Sequence, residues 1–243
     1  MNATTPSPAT LAATRVDLYA GVHKALRLCM SDTLIRVGAA DPLDDGEVAE
    51  ACQAVQDLLS LCESHLHKED SFVHPLLDAA LPGSAARAAD DHRHHEADFA
   101  DIAAMVDAVT AAAAPERAGA LARLYRALST FVGENLVHMT HEETAHNAAL
   151  WDFYSDDELR SVEQRLVASI PPATMMGFLR WFIPALSIGE RVQMLSGIRA
   201  SAPPPVFEAV IGIARERLSA RDFEQLSGRL GLAPQLTPSV APA

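Results

Sequence analysis

Aromatic side chains are scarce in this chain, at 5% of 243 residues, and glycine occurs only 12 times. With alanine and leucine dominant, that balance favours helix over sheet. Basic charge is short as well. Nineteen Lys and Arg face 32 Asp and Glu, a formal net charge of −13. This is the wrong sign for gripping a phosphate backbone, so nucleic acid is not an expected partner. Three cysteines, Cys29, Cys52 and Cys62, follow no ligand spacing, and their odd number speaks against a disulfide scaffold. They read as small buried hydrophobes in a reducing cytoplasm. The longest apolar run, Met175 to Leu186, is broken by Arg180 and Pro184 and is too short to span a bilayer. Met1 to Thr10 lacks the basic start and apolar core of a signal peptide. A soluble, cytoplasmic protein without membrane contact is expected. Histidine is also missing from one region: all ten precede residue 147. The chain therefore divides into a chemically equipped part and a plain one.

What the first part does contain is a repeated pattern. His65 with Glu69 and His138 with Glu142 are both His-x-x-x-Glu, so on a helix each pair projects from one face, a turn apart. Each Glu is followed by a second acid, Asp70 and Glu143. A third match, His92 with Glu96, lies in a more polar stretch and carries less weight. Hydrophobic residues make up 49% of the chain, enough for a substantial core. Residues 1–10 read as a disordered N-terminus and residues 11–154 as four long helices. The first spans about Leu11 to Ala39, with Val16, Tyr19, His23, Leu26 and Met30 along one stripe. The second begins near Asp44, where Asp44 and Glu47 resemble a capping pair. Its stripe is Leu58, Cys62, His65, Glu69, Phe72 and Leu76, and Pro82-Gly83 marks the turn after it. The third carries His92, His95, Phe99, Ile102 and Val106. The fourth starts at Pro115 and has the stripe Leu124, Leu128, Phe131, Asn135, His138, Glu142 and Ala149. Residues 155–232 read as a helical accessory region, opened by a capping box at Ser155 and Glu158, with a second at Ser187 and Glu190. Residues 233–243 read as a flexible tail. The expected fold is all-α: a four-helix up-down bundle followed by a smaller helical extension.

The chemically equipped residues continue the apolar stripes, as they do when a bundle core hosts a metal site. Burying His and Glu together is costly unless something compensates. A shared metal does so, because imidazole and carboxylate suit iron, manganese or zinc. His23, His65, Glu69, His92, His95, His138 and Glu142 are the candidate ligands, drawn from all four helices. Glu69 and Glu142 are placed to bridge two metals. His23 and His65 would serve one metal, and His138 with a helix-three histidine the other. Either His92 or His95, or both, would fill that last role; His95 is slightly favoured because Phe99, Ile102 and Val106 follow it in register. His67, His74, His94, His141 and His146 fall off the stripes or at their margins and are expected at the surface or rim. Tyr19 reads as a core-rim tyrosine. Arg27 is either solvated or paired with an acid behind the ligands.

Three segments, His23-Lys24-Ala25-Leu26-Arg27, His65-Leu66-His67-Lys68-Glu69-Asp70 running into Pro75, and His138-Met139-Thr140-His141-Glu142-Glu143, resemble the hemerythrin-like, or HHE cation-binding, domains. The resemblance covers about Leu11 to Tyr154. It implies a four-helix bundle with a non-haem di-iron centre, two irons held by ligands from all four helices and bridged by two carboxylates. Zinc or manganese would be substitutes. Two departures separate the chain from oxygen-carrying hemerythrins: His92-x-x-His95 replaces a His-x-x-x-His pair on the third helix, and Glu142 replaces an Asp one residue further on. They count against reversible oxygen carriage. The expected partner is a small diatomic or peroxide ligand, with a protein partner or self-association through the C-terminal helices as a further role. The expected function is binding or sensing of dioxygen, nitric oxide or peroxide. A di-iron oxidoreductase and an iron storage or sensing protein are the alternatives.

Overall fold

The computed structural model describes residues 15–232. Every element among them is helical. Four long helices, α1 (Ala20–Ala39), α2 (Asp45–Lys68), α4 (Ala86–Ala111) and α5 (Ala114–His141), form a ring in which α1 touches α2 and α5, and α4 touches the same two. Short connections keep successive long helices antiparallel. The core between them includes Leu26, Met30, Val55, Leu58, Leu124 and Leu128, all at most 2% exposed. α1 and α5 approach so closely at Gly38 that a Cβ there would lie 2.8 Å from the Tyr125 ring.

The helix boundaries show what local chemistry decides. α1 begins at Ala20, not at the expected Leu11, whose first positions lie outside the described residues. Arg15 explains the late start. Its guanidinium donates to Asp156 Oδ1 and to the carbonyls of Trp151 and Tyr154, while the Trp151 indole donates to the Val16 carbonyl. These bonds hold Arg15 and Val16 against a distant corner, and Asp17 then accepts from the Tyr19 and Ala20 N–H groups. Asp44 caps α2 as expected, accepting from Gly46 and Glu47. Glu47 itself reaches back to the Asp41 N–H, not to Asp44, so the capping pair is not reciprocal.

Neither of the helices that carry a His-x-x-x-Glu pair runs straight through. A π-helical turn, Glu69–Val73, separates α2 from α3 (His74–Ala80), and another, Glu142–His146, separates α5 from α6 (Asn147–Phe153). The first precedes Pro75, which has no N–H to return to the Ser71 carbonyl and so loosens the helix there. At the second, the Thr144 hydroxyl donates to the Thr140 and His141 carbonyls and competes for the backbone. Each turn adds one residue and advances the buried face by one position. Val73, His74 and Leu77 are buried, while Phe72 and Leu76 of the expected stripe are only partly so. In the same way His146, Asn147 and Leu150 replace Ala149.

α7 (Asp156–Ala168) opens with the expected capping box. Its Leu159 packs with Tyr19, Val73, Leu77 and Leu150, closing the end of the bundle where the π turns lie. α8 (Pro172–Ala185), α9 (Ile188–Ser201), α10 (Pro204–Arg217) and α11 (Ala220–Leu230) follow. These four share a core of their own around Leu179, Ile183, Leu195, Val210 and Leu226. α8 rests on α1, sending Phe178 into the bundle core. Arg191 donates to the carbonyls of Ile183 and Pro184 and so terminates α8. No single helix among the described residues is long and apolar enough to cross a membrane.

Candidate metal centre

Glu69 and Glu142 open the two π turns and face each other across the bundle, 3% and 0% exposed. Around them the structure assembles two donor groups that share both carboxylates. One is His23, His65, Glu69 and Glu142; the other is Glu69, His92, His138 and Glu142. In the first, His23 Nε2 lies 3.6 Å from Glu69 and 3.4 Å from Glu142, and His65 Nε2 lies 3.3 Å from Glu69. In the second, His92 Nε2 is 3.5 Å from Glu69 and 3.8 Å from Glu142, and His138 Nε2 is 3.3 Å from Glu142. Ligands at about 2.1 Å from one ion sit roughly 3.0–3.6 Å apart for bond angles of about 90–120°. The separations therefore suit one ion per group, with the glutamates common to both.

The outer partners fix how the rings present themselves. His23 donates from Nδ1 to Glu143, His92 to Asp70 and His138 to Asp91. Arg27 clamps Glu143 through both terminal nitrogens, so it is the outer pairing that the structure adopts for this arginine. With Nδ1 protonated, each neutral imidazole turns a bare Nε2 lone pair inward. His92 and His138 then face each other Nε2 to Nε2 at 3.1 Å. Both oxygens of Glu69 and of Glu142, and Nε2 of His23 and His65, are buried with no hydrogen-bond partner. Lone pairs and anions at this density, out of water, cost several kcal/mol per unpaired charge. A cation between them removes the conflict, and the donor set of imidazoles and carboxylates fits a first-row transition metal such as iron, manganese or zinc.

Protons are the substitute available to the metal-free chain. Burial alone would lower His23 and His92. The Glu143 hydrogen bond and the nearby Glu69 carboxylate in the first case, and the nearby Glu69 carboxylate and the Asp70 hydrogen bond in the second, together with charge from Glu142, bring each to about 9. Burial would raise Glu69, but the rings of His65, His23 and His92 hold it well below the usual carboxylate range. Burial likewise opposes Glu143, yet bonds from His23 and Arg27 bring it to about 2. His65, short of such partners, is pushed by burial to about 4.

Of the seven candidate ligands, the structure brings six into these two groups. His95 stands outside them: it is buried, with its ring edge-on to His138 and Phe131. It helps line a small cavity of about 10 Å³ with Leu26, Cys62, Phe99, Asn135 and Met139, against His65, His92 and His138. Cys62 is in that wall as a packing residue, its thiol pushed well up by burial. Glu96 is exposed and reaches only His67. Two histidines depart from expectation. His74 and His146, read as surface or rim, are 7% and 2% exposed and group with Glu142. A 3.6-residue stripe extended past Glu69 and Glu142 misses both, because each π turn adds one residue. Pro75, directly after His74, was the one signal of such a break in the sequence.

The family profile described as Hemerythrin HHE cation binding domain matches residues 14–146, more than half of the chain. No curated protein and no solved structure matches it. The matched span holds both donor groups and the four helices that supply them. On that span and that donor set, the chain belongs to the hemerythrin HHE cation-binding domain family, whose members bind metal ions.

Proposed function

We propose that this protein carries a non-haem di-iron centre that binds or senses a small ligand: dioxygen, nitric oxide or peroxide. The observation that carries the reading is the pair of buried glutamates, with all four oxygens unpartnered and each shared between two histidine-bearing groups. Two cations bridged by two carboxylates would satisfy every one of those atoms. Iron, once bound, supplies reversible redox chemistry and open coordination positions. The chain's own part is to hold His23, His92 and His138 in one tautomer through Glu143, Asp70 and Asp91. It also keeps bulk water out with Leu26, Leu66, Phe99 and Met139. The cavity among these residues is about one water in size, small enough to favour a diatomic over a larger substrate.

A di-iron oxidoreductase is the second reading, favoured by the Tyr19 hydroxyl lying 3.1 Å from His146 Nδ1, a proton-bearing pair close to the bridging glutamates. Metal analysis, with the absorption spectrum recorded anaerobically and after air, tests the proposal. Two irons per chain and near-ultraviolet bands that appear on oxidation are expected. A chain that takes up no metal on reconstitution would overturn it, and fast turnover of peroxide or nitric oxide would favour the enzyme.

A further inference from the structure

The two donor groups are built on one plan, and the plan is broken in two places. In each His-x-x-x-Glu copy, the acid that follows the bridging glutamate reaches across to a histidine of another helix. Asp70, after Glu69, lies 2.9 Å from His92 Nδ1 on α4. Glu143, after Glu142, lies 3.1 Å from His23 Nδ1 on α1. These two acids do not bring the same charge to their rings. Arg27 holds Glu143 through both terminal nitrogens, and the pair is close to neutral. Asp70 meets no Arg or Lys among the described residues, and its other partner is His74. The second break lies at the histidines of the motifs themselves. His138 Nδ1 is 3.2 Å from Asp91, which has Arg87 only at 3.9 Å. His65 has no carboxylate behind its ring among the described residues.

A carboxylate behind a ligating imidazole fixes the ring and raises its basicity, and losing one costs about 10–100-fold in metal affinity. The seat formed by His92 and His138 has two such carboxylates. The seat formed by His23 and His65 has one, and Arg27 offsets its charge. Glu69 and Glu142 serve both seats and do not distinguish them. The same carboxylates also favour a proton on the rings. A dipositive ion, however, gains about twice what a proton gains at equal distance, so the ranking survives competition from protons.

We propose that the two seats are unequal: the His92–His138 seat, with Asp70 and Asp91 as its positioning residues, binds its ion first and more tightly, and the His23–His65 seat is the exchangeable one. This rests on the dinuclear reading above and deepens it, because occupancy of the second seat then follows metal supply. The test titrates the full metal-free chain, labelled with ¹⁵N-histidine, with zinc, which is diamagnetic and redox-inert. Competition with a chelating dye gives the stepwise constants, and long-range proton–nitrogen spectra show which Nε2 has bound metal. Resonances are assigned with His65→Phe and His138→Phe. Two steps about tenfold or more apart are expected, with His92 and His138 bound at one equivalent and His23 and His65 only at two. Asp91→Asn keeps an acceptor for His138 but not the charge, and should weaken the first step by about tenfold. Arg27→Gln should act in the opposite sense on the second step. Glu143 recovers its charge and the second zinc binds several-fold more tightly, a gain that damage to the fold does not produce. First entry at His23 and His65, or both seats filling together at every ratio, would overturn the order while leaving two bridged ions intact. A second step that fails to tighten in Arg27→Gln would overturn its electrostatic basis. No zinc bound at any ratio would overturn the dinuclear reading, and the order with it.

Discussion

Every buried polar or charged side chain among the described residues lies between His23 and Asn147, and none lies in α7–α11. The C-terminal helices α8–α11 enclose only apolar groups, with Ile183, Leu195, Val210 and Leu226 fully buried. Both regions are helical and are joined through α1 and α8, yet they meet different demands. The C-terminal unit is held by burial of apolar surface, which needs nothing from outside the chain. The site end of the bundle has placed carboxylates and imidazoles where aliphatic side chains would pack, so a bound cation that offsets their buried charge would stabilise it. The difference predicts that the two regions respond separately to metal, to core truncation and to pH.

Metal removal is the largest test of that difference. A ligand that binds only the folded state stabilises it by about 4 kcal/mol at roughly 1,000 times its dissociation constant. In a domain of this size that corresponds to roughly 10 °C in Tm. Calorimetry with and without a chelator should show the bundle transition fall by that order, while the transition of α8–α11 stays. Glu142→Gln should act like the chelator, because it keeps the shape but removes one of the two carboxylates common to both groups. A variant that retained two metals would show that Glu142 does not bridge.

Core truncation should reverse the pattern. Leu195 is fully buried in α9, and Leu195→Ala should cost about 2–5 kcal/mol while leaving metal content unchanged. Loss of metal in this variant would mean that the two cores fold as one. The pH dependence is next in size. In the metal-free chain His23 and His92 are raised from 6.5 to about 9. Their contribution to stability is fully present below about pH 6.5 and is lost as pH rises through about 9. The metal-free bundle should therefore weaken towards alkaline pH. Metal has to displace those protons, so its affinity should rise over the same window with protons released. Titration calorimetry in buffers of different ionisation enthalpy would count them; zero protons released at pH 7.5 would contradict the raised values.

Much of this organisation was legible in the sequence because it follows a period. His65 and Glu69, and His138 and Glu142, sit four apart on stripes that are otherwise apolar, which marked them without a structure. The capping boxes at Ser155 and Ser187 are local chemistry and appear where their spacing places them. What could not be read were departures from the period. The π turns at Glu69 and Glu142 shift the buried face by one residue, which brought His74 and His146 inward and left Phe72 and Leu76 at the margin. The choice between His92 and His95 was also beyond the pattern. Both are buried on α4, and only the position of Asp70, from another helix, directs His92 at the glutamates. The late start of α1 had the same kind of cause, since Arg15 finds its partners some 140 residues away.

The smallest effect concerns the seam between the two regions. Lys24, next to the candidate ligand His23, reaches Glu190 of α9 at 2.5 Å, with both side chains about 40% exposed. Glu190 is already engaged as the acid of the Ser187 capping box, so it keeps a useful partner when Lys24 is removed. Exposed ion pairs of this kind contribute at most about 1 kcal/mol, and salt screens them. Lys24→Ala should therefore lower Tm by no more than a few degrees and should not alter metal content. The loss should shrink further in high salt. If Lys24→Ala instead lowered metal affinity, the seam would be transmitting strain to His23, and the two regions would be coupled through α1. The apolar contact of Phe178 with the bundle core gives the control: Phe178→Ala should separate the regions far more than loss of the ion pair does, because it removes buried apolar area where Lys24 removes only a screened charge.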